Sequence, residues 1–417
     1  MRSLSPLIVF LLLYLVTSLV LQDFYSVPIA VAFLLSAVYA LLCMGGTFKE
    51  RLNAFTEGAG EGTMQLMVLI FILSGAFAAS AKAMGAVDST VNLTLSLLPE
   101  ELLLPGVFLA SCFISFSIGT SCGTIAALTP VAVGIAQAAG LSIPLMVGLV
   151  VGGTYFGDNL SFISDTTIIA TQTQGCNMRD KFRVNLRIVL PVAVLLLVVY
   201  YLMGTGMEAP AIGKYQAVKL LPYLCVILTA LYGLNVILVL IMGLAVTGII
   251  GVLTGDFAVL DWLKHINAGM MGMAELILCT LLAGGMLAVI RSQGGIDYII
   301  HHLTRHINGR KGAEYSIAAL VALVNVCTAN NTVAIITTGG IAHDITRRFD
   351  IDPRRSASIL DTMSCFAQGL LPYGAQVLIA AGLAHINPIS IIPYLFYPLL
   401  IGIAVLISIA VDYPKLK

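Results

Sequence analysis

The stretch from Gly153 to Thr167 reads GTYFGDNLSFISDTT and carries Asp158 and Asp165 among Asn159, Ser161, Ser164, Thr166 and Thr167, inside chain that is otherwise apolar. An unpaired polar group in hydrocarbon costs several kcal/mol. An ionised aspartate at the bilayer centre costs at least about 2.5 kcal/mol on insertion scales, so intramembrane acids are by default proton or cation sites. Asp158 and Asp165 are seven residues apart and would share one face of a continuous helix. Gly157 and the density of Asn, Asp, Ser and Thr favour a local unwinding between them. Either geometry turns both carboxylates to one cavity, with hard oxygen ligands that suit Na⁺ or H⁺. The bland alternative is a protonated or hydrogen-bonded aspartate that only holds helices together.

Two further polar clusters interrupt apolar chain. One reads Gly119, Thr120, Ser121, Cys122, Gly123, Thr124; the other reads Thr328, Ala329, Asn330, Asn331, Thr332. Each sits between two apolar arms of about fifteen residues, too short to cross a bilayer easily. Such tips can complete the shell of a dehydrated ion or grip a small solute, and the helix that follows aims its N-terminal N–H groups at them. Capping of the arms by Ser, Thr and Asn is the plain alternative. Asp361 is either a partner of the first two acids or an interfacial charge.

The elements that must hold these groups follow from composition. The 417 residues are 59% hydrophobic and 10% charged, which excludes an ordinary soluble protein. With 21 basic and 21 acidic residues no basic face exists for nucleic acid. The eight cysteines stand singly, without metal-ligand spacing. No cofactor is called for. The fold class is an all-α polytopic membrane protein. Crossings are expected near 5–22, 27–44, 64–83, 185–203, 219–234, 236–254, 272–291 and 388–411, with broken helices at 144–174 and 356–386. Segments 104–139 and 312–346 read as re-entrant hairpins. Lys and Arg cluster at 49–51, 179–187, 291–311 and 347–355, and the positive-inside rule puts those loops in the cytoplasm. The count is then ten crossings plus two hairpins, with both termini cytoplasmic and the protein in the cell's inner, plasma membrane. No Lys or Arg is expected at membrane depth, which tilts the cargo toward a cation or a zwitterion.

The chain also repeats itself. SGAFAASAKAMGAVD at 74–88 lies over AGGMLAVIRSQGGID at 283–297, and at an offset of 208 Thr120 falls on Thr328 and Thr124 on Thr332. Continued at 208, Asp158 and Asp165 fall on Phe366 and Tyr373. An odd number of crossings between the units makes the second inverted. Inverted repeats with broken helices are the architecture of secondary transporters, with the site at the midplane. The expected organisation is N-terminal helices and loop over 1–62, a first repeat over 63–183, connecting helices over 184–271, a second repeat over 272–387 and a C-terminal helix and tail over 388–417.

FGDNLSFISDTT together with GTSCGT resembles the NhaC-type sodium/proton antiporters of the ion-transporter superfamily, whose members often read G-D-x-x-S-P-x-S-D-T-T and G-T-S-W-G-T. The resemblance runs from about Thr63 to Leu383; Phe162 stands where proline is usual and Cys122 where tryptophan is usual. It implies that Asp158, Ser161, Ser164, Asp165, Thr166 and Thr167, with Thr120, Ser121 and Thr124, line the ion pathway. The expected function is Na⁺/H⁺ antiport by competition of the cations for the aspartates, with Asp158 and Asp165 as the Na⁺ ligands and Asn159, Asn330, Asn331, Thr332 and Asp361 as further binding residues. The alternative is Na⁺- or H⁺-coupled exchange of an amino acid or small organic acid, and relatives of this type include such exchangers. A remote reading is an intramembrane aspartyl protease using Asp158 and Asp361. The expected partners are Na⁺, H⁺, a small organic solute and the lipid bilayer, with a homodimer as the assembly considered.

Overall fold

The computed structural model describes residues 2–13, 29–118, 120–161, 164–205, 213–232, 234–304 and 307–415. Among the described residues the chain is all-α, without a strand. It opens with α1 (Ser5–Leu11), α2 (Ile29–Cys43) and α3 (Phe48–Ala59). A first set follows: α4 (Gly62–Ala83), α5 (Ala86–Leu97), α6 (Leu103–Ile118), α7 (Ser121–Ala138), α8 (Ile143–Leu160) and α9 (Asp165–Gln174). Four helices connect it onward: α10 (Met178–Gly204), α11 (Leu221–Leu231), α12 (Val236–Leu253) and α13 (Val259–Gly272). A second set then repeats the order of the first: α14 (Ala274–Ser292), α15 (Gly295–Thr304), α16 (Gly309–Thr328), α17 (Asn331–Arg348), α18 (Pro353–Gly369) and α19 (Ala375–Ala384). The chain closes with α20 (Pro388–Ile391) and α21 (Phe396–Val411).

The same local signals build both sets. Gly85 and Gly294 take the left-handed conformation (φ 75° and 73°) that turns the chain from the first helix of each set into the second. Ser142 and Asp352 cap α8 and α18, each followed by a proline in the first helical turn. Extended residues Thr120 and Asn330 start α7 and α17 at the hairpin tips, and Ser164 and Gly374 start the second halves of the broken helices. The Ser115 hydroxyl donates to the Thr154 carbonyl at 2.7 Å, and the Asn325 amide donates to the Ser364 carbonyl at 2.7 Å. All these pairs stand 210 residues apart, save the two glycines at 209. The register of 208 is therefore corrected by two: Asp158 pairs with Gln368 rather than Phe366, and Asp165 with Ala375 rather than Tyr373.

Five described helices are long and apolar enough to cross a bilayer, and seven if each of two bent pairs counts as one span. The chain is a multi-pass membrane protein. Of the expected crossings, 5–22 lies only partly within the described residues. The crossing at 219–234 contracts to the short α11, and α13 runs on into α14 as one apolar stretch from Val259 to Ser292. Small residues let the backbones approach. Gly75 of α4 and Gly269 of α13 meet so closely that a Cβ on either would lie 2.4 Å or less from the other's carbonyl oxygen. The two sets interlock: α9 packs on α17 and α19 on α7.

Candidate functional site

Asp158 is placed by glycine. A Cβ at Gly157 would stand 2.4 Å from Ser115 Oγ and 2.5 Å from Phe116 N, and one at Gly153 would stand 2.6 Å from Ser111 Cβ, so α8 lies backbone to backbone on α6. α8 then ends at Leu160, with the Ser161 N–H donating to the Gly157 carbonyl at 2.7 Å. The chain becomes helical again at Asp165, in the first turn of α9. Asp165 thus occupies the favourable positive end of a helix dipole, whereas Asp158 in the last turn of α8 faces the negative end. What offsets that is a cation: Lys181 Nζ donates to the Asn159 carbonyl at 3.0 Å and to Thr167 Oγ1 at 2.7 Å, closing the end of α8. The Asn185 amide adds a second bond to the same carbonyl at 2.7 Å.

Both aspartates line one cavity of about 650 Å³ between the two sets. From the first set come Thr120, Ser121, Cys122, Asp158, Ser164, Asp165 and Thr166; from the second come Asn330, Asn331, Thr332, Gln368 and Gln376. Asp158 is buried and Asp165 is exposed to the cavity. A hydrogen-bonded chain crosses between the sets. Gln376 Nε2 donates to Ser121 Oγ at 3.0 Å, and Gln368 Nε2 donates to Gln376 Oε1 at 3.0 Å and to the Ala329 carbonyl at 3.1 Å. Ser164 and Thr166 share a hydroxyl bond at 3.0 Å. Carboxylates, hydroxyls and amides around one cavity can hold a cation stripped of part of its water. Among the described residues no group of three His, Cys, Asp or Glu is arranged to hold a metal ion.

A model of the Na⁺/H⁺ antiporter family matches residues 2–205 and 210–411. The chain belongs to this family. It is a secondary active transporter carrying out Na⁺/H⁺ antiport, and not an enzyme. It is 21% identical to the malate-2H⁺/Na⁺-lactate antiporter of Bacillus subtilis (strain 168), over 97% of this chain and 94% of that one. It is 24% identical to the Na⁺/H⁺ antiporter NhaC of Alkalihalophilus pseudofirmus, over 89% and 87%. It is 25% identical to the Na⁺/H⁺ antiporter NhaC of B. subtilis (strain 168), over 90% and 89%.

Within this antiporter five of the residues singled out from the sequence lie outside the cavity lining. The Thr124 hydroxyl donates back to the Thr120 carbonyl at 3.0 Å, as a mid-helix threonine does. The Asn159 amide donates to the Tyr397 hydroxyl at 2.9 Å. Thr167 is held by Lys181 and donates to the Asp158 carbonyl at 3.3 Å. Ser161 is buried behind the wall. Asp361 is neither interfacial nor in the cavity: its Oδ2 lies 2.6 Å from Lys181 Nζ and accepts from Asn185 Nδ2 at 2.8 Å, with both charges at 1% exposure or less. Gly119 and Phe162 fall outside the described residues.

Lys181 is buried and ion-paired, although it belongs to the basic cluster at 179–187. Its neighbours Arg179, Arg183 and Arg187 are exposed, and by sequence position alone it belongs with them. The distinguishing signal was available: Lys181 and Asn185 are four residues apart and so share a helix face, with Val184 and Ile188 buried beside them. Gln368 and Gln376 line the cavity without being expected there from the sequence, because a register of 208 lays Phe366 and Tyr373 over the aspartates.

Proposed function

We propose that the antiporter exchanges Na⁺ for H⁺ by making them compete for Asp158 and Asp165. The observation that carries this reading is the meeting of both carboxylates with hydroxyl and amide oxygens in one cavity between the two repeated sets. A site with two free negative charges crosses a hydrocarbon barrier at high cost, whereas one neutralised by Na⁺ or H⁺ crosses at less. Each reorientation therefore carries one cation or the other, which is what exchange requires. Lys181 and Asp361 neutralise each other and hold the end of α8 without entering the competition.

A second cavity of about 810 Å³, lined by Lys82, Asp88, Gln137 and His385 among others, lies at the far ends of α7 and α19, away from the aspartates. We assign it as the aqueous approach from the face opposite the basic loops, which we place in the cytoplasm with both termini. The matching pair on the other side, α9 and α17, is tied shut. Gln174 Nε2 donates to the Gly339 carbonyl at 2.9 Å, Ser356 donates to Gln174 Oε1 at 3.0 Å, and Thr346 donates to Ser356 at 2.8 Å. Alternating access then consists of exchanging which pair is open.

The test is Asp165→Asn in proteoliposomes with an internal pH dye. Na⁺-dependent proton flux is expected to vanish while the protein remains monodisperse in detergent. Undiminished flux would remove Asp165 from the site.

A further inference from the structure

His385 ends α19 in the left-handed conformation (φ 54°), and Gly175 ends α9 in the same way (φ 66°), 210 residues earlier. The two turns close with matching bonds. The Gly175 N–H donates to the Gln172 carbonyl and the Cys176 N–H to that of Thr171, while the His385 N–H donates to the Gly382 carbonyl and the Ile386 N–H to that of Ala381. One backbone therefore carries glycine in the first set and histidine in the second. That exchange alone distinguishes nothing, since Asp350 (φ 51°) stands in the same way where the first set has Gly140 (φ 64°). What sets His385 apart is its place. Among the described residues it is the only histidine lining either of the two cavities, and its exposed ring makes no hydrogen bond with them.

The charges around it are few. The cavity of about 810 Å³ holds three ionisable side chains: Lys82 from α4, Asp88 from α5 and His385. Of the other helices packed on α19, α7 and α20 carry no charged side chain, and α8 has only Asp158, which lines the other cavity. α14 has Arg291 at its far end and Glu275 in its first turn, exposed but not part of this lining. α13, whose Gly272 lies beside the ring, has Asp261, Lys264 and His265, all seven or more residues away. Lys82 and Asp88 offset each other, so the lining is neutral while the imidazole is neutral and carries one positive charge once it is protonated. An unperturbed imidazole makes that change between about pH 5 and 8. From Gln376 in the aspartate cavity to His385 in this one, α19 rises about 1.5 Å per residue, or roughly 14 Å. The Debye length at physiological ionic strength is about 8 Å. A charge on His385 thus acts on an ion in the watery approach and reaches the aspartates only weakly.

We propose that His385 is a second proton-binding site of the exchanger, apart from the aspartates, and that its imidazolium opposes the entry of Na⁺ through this cavity. This rests on the reading of the cavity as the aqueous approach from the face opposite the basic loops. Competition at the aspartates raises the apparent KM for Na⁺ for as long as the pH falls, because proton and cation want one place. The charge of His385 adds a bounded step, complete once the imidazole is protonated, and salt weakens it. The two effects separate on those grounds.

The test compares the full unaltered chain with His385→Gly, which gives α19 the ending that α9 already has and so keeps the backbone. Right-side-out and inverted membrane vesicles are prepared from a host without its own Na⁺/H⁺ exchangers. The apparent KM for Na⁺ is read from dye-reported proton flux in low-salt buffer between about pH 5.5 and 8.5, the range that spans imidazole. With Na⁺ and acid on the outer face, the KM of the unaltered chain is expected to equal that of His385→Gly at the alkaline end. At the acid end it is expected to be about two- to sixfold higher, the effect of one charge roughly 8 Å from the ion at an effective dielectric constant of about 40–80. The effect falls on KM rather than on the maximal rate. Choline chloride at about 0.5 M, where the Debye length is about 4 Å, is expected to remove most of it.

A ratio of one throughout, or a ratio that does not change with pH, overturns the proposal and leaves the cation reading of the aspartates standing. A pH-dependent ratio seen only with Na⁺ on the cytoplasmic face upholds the proton site and overturns the side assigned to the cavity. His385→Lys keeps a charge at every pH and is expected to hold the acid-end KM at the alkaline end as well; a KM there equal to that of His385→Gly would overturn the role of charge. If the lysine variant does not fold, His385→Asn decides. Asparagine is neutral and tolerates the left-handed conformation, so it is expected to match His385→Gly at every pH, and an asparagine variant that keeps the acid-end rise overturns the proposal.

Discussion

Replacing Asp361 by leucine strips a buried ammonium of its counter-ion. Lys181 Nζ and Asp361 Oδ2 lie 2.6 Å apart at 1% and 0% exposure, with no solvent to screen whichever charge is left. Removing one partner of such a pair costs about 3–5 kcal/mol, while replacing both by apolar groups of similar volume is often near neutral. At about 2.1 cal/mol/K per residue, the unfolding entropy of 417 residues is about 0.9 kcal/mol/K, so a single substitution lowers the midpoint by about 3–6 °C. Lys181→Met and Asp361→Leu are each expected to show that loss. The double variant still forfeits the Lys181 bonds to Thr167 and the Asn159 carbonyl, at about 1 kcal/mol each. Its midpoint is nonetheless expected about 1–3 °C above the lower single, because no charge is stranded. The assay is the temperature at which half of the detergent-solubilised protein leaves the monodisperse peak, read for all four corners of the cycle. A double variant no more stable than its worse parent would refute the account of Lys181 and Asp361 as a coupled pair. Loss of Na⁺-dependent flux in Lys181→Met at a temperature where it remains folded would show that closing the end of α8 also positions Asp158.

Gly157→Ala drives a methyl group into Ser115 Oγ and Phe116 N, and overpacking of this kind costs about 1–3 kcal/mol; the midpoint should fall by about 1–3 °C and flux should drop, with Ser115→Gly in the same chain failing to restore either fully, because the Phe116 backbone nitrogen still stands 2.5 Å from the added methyl. Normal flux and midpoint in Gly157→Ala would mean that the α6–α8 contact does not set the position of Asp158. Outside the membrane segments, burial pushes the Asp256 carboxyl up, but bonds from the Lys219 ammonium, 2.6 Å away, and from the Thr254 hydroxyl outweigh it and hold the group below its usual range. A depressed carboxyl contributes stability above its unfolded value of about 3.9, and that stability is lost as pH falls through the folded value. Asp256→Asn should therefore cost less than about 1 kcal/mol at pH 7, as a screened pair near the surface does, with the gap closing as the pH is lowered past 3.9; midpoints that differ equally from pH 7 to pH 3 would contradict this.

The sequence displays some parts of this molecule directly and hides others for physical reasons. Polar runs inside apolar chain are visible because each unpaired group in hydrocarbon has a cost, so the tips at Thr120 and Asn330 and the break between Asp158 and Asp165 could be found by inspection. Their mutual register could not be found that way. Matching the threonines of GTSCGT and TANNT slides the two units by two residues, because identity between letters is a weak constraint at a helix start. The cap is the strong one: Thr120 and Asn330 share extended dihedrals, and Ser115 and Asn325 reach the same carbonyl position with a hydroxyl in one set and an amide in the other. Different side chains perform one task, so the symmetry lives in hydrogen-bond geometry. The destination of Lys181 was hidden for a related reason. A four-carbon stem lets a residue at the level of a basic loop deliver its charge several ångströms deeper, and only the partners Asp361 and Asn185 reveal that it does. The corrected register also changes what the repeat means for transport. Opposite Asp158 stands Gln368, of nearly the same shape of polar end but without charge, and opposite Asp165 stands the bare helix start at Ala375. The second set therefore presents an amide and a bare helix start where the first presents acids, so the negative charge of the cavity lies on one set alone.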